Sequence, residues 1–196
     1  MRFHFPLPVR TAVGFGSLAA SLALVAPWSA TAAYANVPSV TCDGSQSVAI
    51  TPGVTDALAR QTGNTTAQLG VYDSFLGLGG QDCQSTDGSL TGGTFNYTFQ
   101  QTVSCTEVSN TAGTFTGTID WDNGKNSAVS GTFSLNDNVH GDGLLQGAGT
   151  ISSGEFQGEN LTLQTDGITS DPDACERDGV KSMSGSVDVV IGPATT

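Results

Sequence analysis

The sequence predicts an all-β domain, an antiparallel meander of about eight strands closed or nearly closed into a barrel, with a β-sandwich as the alternative. Three observations carry this. After Pro38 the apolar residues recur at every second position, the period of strands with one buried face. The runs are separated by short Gly-, Asn- and Asp-rich turns, which suit antiparallel neighbours. Four cysteines fall where alternating strands bring them together in pairs.

In chain order, the first runs are Val48–Ile50 and then Ala67, Leu69 and Val71. Thr55–Gln61 (TDALARQ) opens like a helix N-terminus and predicts one helical turn between them. Thr94–Cys105 places Phe95, Tyr97, Phe99, Gln101 and Val103 on one face and Thr or polar residues on the other. Thr114–Trp121 repeats this with Phe115, Gly117, Ile119 and Trp121 inward. Asp122-Asn123-Gly124 is a type I′ hairpin signal leading to Val129, Gly131, Phe133 and Leu135. His140–Gly143 separates that row from Leu145, Gly147, Gly149 and Ile151. After Ser152-Ser153-Gly154, Phe156-x-Gly158 and then Leu161 and Leu163 change parity once, which predicts a bulge. Met183, Gly185, Val187, Val189 and Ile191 close the chain. The apolar-x-Gly steps ending at 117, 131, 147, 158 and 185 put glycine on the inward face, for tight coiling and packing or for a ligand cavity.

Strand alternation puts Cys42 and Cys83 at the end where the first strand begins, and Cys105 and Cys175 at the opposite end. Disulfides Cys42–Cys83 and Cys105–Cys175 are the expected pairs. A zinc site lacks both a C-x-x-C motif and a second His in the mature chain.

Residues 1–35 read as a signal peptide: Arg2 and Arg10, an apolar core over Thr11–Trp28, then A-x-A steps at Ala30–Ala32 and Ala33–Ala35. A retained anchor is the competing reading of this stretch. Residues 36–43 follow as an extended N-terminal segment and 44–193 as the β domain. Cleavage leaves Arg60, Lys125, Arg177 and Lys181 against 18 Asp and Glu, a net charge of −14. So acidic a chain excludes nucleic acid as a partner, because phosphate neutralisation needs clustered Lys and Arg. No span of the mature chain is apolar enough to cross a bilayer as a helix.

Chemistry is sparse. The mature chain has no G-x-S-x-G elbow, and its one His, His140, sits in a polar turn. Asp120 and Asp122, or Glu155 and Glu159, are the pairs a carboxylate-dependent hydrolase would use. Asp171, Asp173, Glu176 and Asp178 form an oxygen-rich stretch suited to Ca²⁺, although the spacing is not that of an EF-hand. Trp121 with Asp120, Asp122 and Asn123 has the composition of a sugar platform; Trp121 also continues the inward row as a core cap.

Thr51-Pro52-Gly53-Val54-Thr55, the Gly117–Ser127 run GTIDWDNGKNS, the Gly149–Gly158 run GTISSGEFQG and a last strand ending in Val-Ile-Gly resemble small secreted β-rich proteins of Streptomyces and related actinomycetes. The resemblance covers most of the mature chain. It implies export and a β fold, and transfers no catalytic residue. The expected function is non-enzymatic binding at the cell surface or in the medium, to a protein or a glycan and without a cofactor. A small-ligand carrier using the barrel interior and a secreted hydrolase are the alternatives.

Overall fold

Nine strands account for most of the described backbone. The computed structural model describes residues 39–70, 82–106, 112–139, 142–169, 171 and 173–193, with backbone only for 135–139, 142–144, 168 and 169. Residues 1–38 (the expected leader among them), Val71 and His140-Gly141 lie outside them. The strands are β1 (Val40–Val54), β2 (Ala59–Leu69), β3 (Gln84–Ser85), β4 (Gly93–Val103), β5 (Gly113–Trp121), β6 (Asn126–Val139), β7 (Asp142–Gly154), β8 (Asn160–Thr169) and β9 (Val180–Gly192).

The strand order is β2-β4-β5-β6-β7-β8-β9-β1, and β1 also pairs with β2, so eight strands close into an antiparallel barrel. β1 meets β9 from Val40 to Ala49 on one side and β2 from Gly44 to Thr51 on the other. The two-residue β3 takes over where β2 has ended, pairing with Val40 and Thr41. Both disulfides form as expected, Cys42–Cys83 at one end and Cys105–Cys175 at the other.

The inward rows build one core, with Phe95, Phe115, Ile119, Leu161, Val187 and Ile191 at most 2% exposed. Each such side chain contributes roughly 1.5–3 kcal/mol by leaving water. Glycines make room for aromatic rings: a Cβ on Gly63 would stand 2.0 Å from the Phe99 ring, and one on Gly131 would stand 2.7 Å from that of Phe115. Phe95 and Tyr97, Tyr97 and Phe115, and Phe99 and Phe133 meet as tilted or edge-on ring pairs.

The structure corrects four sequence expectations. Thr55–Gln61 holds no helical turn. Thr55 Oγ1 accepts the Ala57 N–H in a side-chain turn, and Ala59 already pairs with Val103. A ladder with β4 satisfies more backbone groups than one isolated helical turn would. The parity change after Ile151 is a turn rather than a bulge. Phe156 has φ 62° and Gly158 φ 89°, and β8 starts only at Asn160, so Gly158 is not an inward strand glycine. Register shifts lie instead between β6 and β7, at Ala128/Val129 and Leu135/Asp137. Finally, β1 begins at Val40, inside the segment assigned to an N-terminal extension, and runs through Gly44. There β1 and β2 approach so closely that a Cβ would lie 2.0 Å from the Gln68 carbonyl oxygen.

Candidate functional site

The two ends of the barrel are built differently. At the Cys42–Cys83 end, residues 82–92 fold across the opening. Cys83 N–H donates to Thr91 O, and Leu90, 1% exposed, joins the core. Trp121 is 3% exposed, with its ring edge-on to Phe156 at 5.9 Å. Its Nε1 donates to Ser127 Oγ (2.9 Å), which donates in turn to Glu155 O (2.6 Å). Lys125 ties this end together, 3.0 Å from Glu155 and 3.5 Å from Asp87. The Glu155 partner holds the Lys125 ammonium above its ordinary value, and hydrogen bonds from Ser89 hold the Asp87 carboxyl below its own.

This end therefore engages three of the four residues of the expected sugar platform, Trp121, Asp122 and Asn123. Trp121 offers no open face and caps the core. Asp122 accepts from Thr91 N–H and Oγ1, Asn123 Oδ1 accepts from Lys125 N–H, and Asp120 stands exposed on the outer face opposite Asn126. Of the proposed calcium residues, Asp171 has its carboxylate engaged in local structure. Asp171 pairs with Arg177 and accepts the Asp173 N–H, ordering the short 3-10 turn Ala174–Glu176 that carries Cys175; Glu176 and Asp178 are exposed. Among the described residues, no three His, Cys, Asp or Glu side chains gather in a way that could hold a metal ion.

The Cys105–Cys175 end contains a cavity of about 100 Å³, half-enclosed by the described residues. Its apolar wall includes Val48, Ile50, Phe99, Val103, Val180 and Met183, with the disulfide at its rim. Its polar lining is Gln46, Gln61, Gln101, Tyr97 and Thr165, and each of these is at least nine-tenths buried. Tyr97 OH donates to Gln46 Oε1 at 2.8 Å. Burial pushes the Tyr97 phenol up to about 12, with the Thr65 hydroxyl pulling partly the other way. Gly53 N–H donates to Gln61 Oε1 at 3.0 Å, while Gln61 Nε2 has no hydrogen-bond partner among the described residues. Leu58, 51% exposed, stands on the β1–β2 hairpin at this same end, which Cys105 N–H joins by donating to Thr55 O.

Sequence reasoning did not identify this cup. Gln101 carried a readable signal, an amide in the row Phe95, Tyr97, Phe99, Gln101, Val103. Gln46 and Gln61 sit among Ser, Thr and Gly, where the alternation gives little contrast. The cup also lies apart from most of the inward glycines; of its described lining residues only Gly167 is glycine. A second feature, also not anticipated, is a row of carboxylates on the outer face of β1, β9 and β8. Asp43 lies directly opposite Asp188, whose carboxyl is raised by partial burial and then by Asp43 and Asp166.

Comparison with protein-family models, curated proteins and solved structures finds no match to this chain.

Proposed function

We propose that the chain is a non-enzymatic binding protein of the cell surface or medium, and that it holds a small ligand, or the tip of a larger one, in the cup at its Cys105–Cys175 end. The carrying observation is the placement of buried polarity. Barrel interiors favour apolar side chains, and desolvating an amide or phenol is costly without a purpose. Here Gln46, Gln61, Gln101, Tyr97 and Thr165 all line one apolar cavity, while Leu90, Trp121 and Phe156 pack the other end. Apolar walls with a few fixed polar groups are the usual composition of ligand pockets.

This favours the carrier reading over contact through sheet edges, since closure pairs both sides of every barrel strand. The volume limits the cargo. About 100 Å³ is well below the roughly 300 Å³ of a site for a drug-sized molecule, so a larger ligand would enter only in part and lie against Leu58. A hydrolase gains no support, because among the described residues no Asp or Glu lines the cup. The leader and the two disulfides support export to an oxidising compartment.

Methyl-resolved NMR of the oxidised protein with neutral fragments of five to eight heavy atoms tests the reading. The Met183, Val180 and Ile50 signals are expected to move while Ile119, in the core near the plugged end, stays still. No movement at millimolar fragment, or movement confined to the outer face, refutes it.

A further inference from the structure

We infer that the cup takes a neutral ligand combining a compact apolar body with one acceptor oxygen, a carbonyl or an ether, and that Gln61 Nε2 donates to that oxygen. The inference rests on the reading of the cup as a ligand site and adds the ligand's chemistry to it.

The orientation of the Gln61 amide is fixed by its neighbour. Gly53 N–H can only donate, so the Gln61 oxygen must face it, and it does so at 3.0 Å. That turns the amino group the other way on a side chain that lines the cavity and is 1% exposed. Nε2 is left without a protein partner among the described residues. A buried donor without an acceptor is one of the costlier states a native protein keeps, and such groups mark places where something else completes the bond. The cup's other fixed pair is already satisfied, since Gln46 Oε1 accepts from Tyr97 OH. The unmet demand is therefore for an acceptor, which an ammonium ligand cannot supply.

Charge and size narrow the class further. Among the described residues no Lys, Arg or His lines the cup, and the chain carries a formal charge of −12. A carboxylate or phosphate would enter against that field with no counter-charge from the described lining, whereas a neutral carbonyl meets no such penalty. A dry cavity of about 150 Å³ holds benzene. The space here, about 100 Å³, suits a group of roughly four to six heavy atoms.

The test uses the oxidised, ¹⁵N-labelled protein and two molecules of the same shape, cyclopentanone and methylenecyclopentane, the second carrying CH₂ in place of the oxygen. Dissociation constants are measured by NMR titration for the wild type and for Gln61→Met, together with the proton shifts of the Gln61 side-chain amide. Gln61→Met is expected to weaken cyclopentanone about tenfold, the worth of one neutral hydrogen bond at the upper end of its range. The hydrocarbon should change by less than about twofold, and only the ketone should move the Gln61 amide protons downfield. Equal losses for both molecules, or an amide unmoved by bound ketone (an ordered water alone satisfying Nε2), overturn the inference while leaving the cup as a binding site. Failure of both molecules to perturb the wild-type cup overturns the inference together with the reading it rests on. If Gln61→Met does not fold, the wild-type amide shift decides the matter by itself.

Discussion

The Tyr97–Gln46 pair is the polar floor of the cup, and its worth can be measured by a double-mutant cycle. Tyr97→Phe removes the hydroxyl and strands Gln46 Oε1 at a position 7% exposed, losing the 2.8 Å bond. A buried acceptor left unpaired costs about 1–3 kcal/mol. For a domain of this size, a loss near 2 kcal/mol lowers Tm by about 4–8 °C. Gln46→Met strands the phenol instead and should cost a similar amount. The double variant removes both polar groups, so it should lose about 1–2 kcal/mol less than the two single losses combined. Urea titrations at pH 7 provide the free energies. The same pair has an alkaline signature. With the folded Tyr97 phenol near 12 against 10 when unfolded, the folded state holds a proton that the unfolded state releases between those values. Stability therefore falls as pH rises through that window, by about 2–3 kcal/mol, in the wild type relative to Tyr97→Phe. Single-mutant losses that add within about 0.5 kcal/mol, together with parallel alkaline profiles for wild type and Tyr97→Phe, would refute the reasoning.

Two further outcomes are expected. Reducing both disulfides, which close sequence separations of 41 and 70 residues, removes about 4 kcal/mol for each bridge on the chain-entropy model; an unchanged melting temperature after full reduction contradicts this. Asp188→Asn removes the like charge opposite Asp43 and should stabilise the protein at pH 7 by a few tenths of a kcal/mol, the side chain being exposed. Because the folded Asp188 carboxyl is raised, this gain belongs to pH above its titration and should fade as Asp188 protonates in acid; a gain that persists at pH 2 excludes the charge explanation.

The barrel was legible in the sequence wherever large apolar residues alternate with threonine. The Phe95–Val103 and Phe115–Trp121 rows each specify an inward face, and shifting either by one residue would expose it. The disulfide pairing followed from strand parity alone. The features that were not legible depend on contacts distant in sequence. β3 is two residues long and exists because β2 ends before β1 does. Phe156 reads as a strand residue, yet its positive φ places it in a turn against Trp121. The cup brings together Gln46, Gln61 and Gln101 from three strands, and only Gln101 stands in a row apolar enough for an amide to register as out of place. Trp121 shows the limit of composition: the same residues describe a sugar platform or a core cap, and the choice depends on Ser127 and Phe156.

The β1–β9 seam has a consequence for how the molecule assembles. β1 opens the described chain, but one of its two long ladders pairs Val40 with Ile191, across almost the whole domain. The other seven barrel contacts all join barrel strands consecutive along the chain, so most of the sheet can zip up stepwise while β1 retains one open flank. The final ring closure must await the last strand, and so distant a pairing places such topologies among the slower single-domain folders, on the order of milliseconds to seconds. Until Val187, Val189 and Ile191 dock, the nascent sheet is a ribbon with two sticky margins, and the C-terminal strand is the clasp that ends its exposure to self-association.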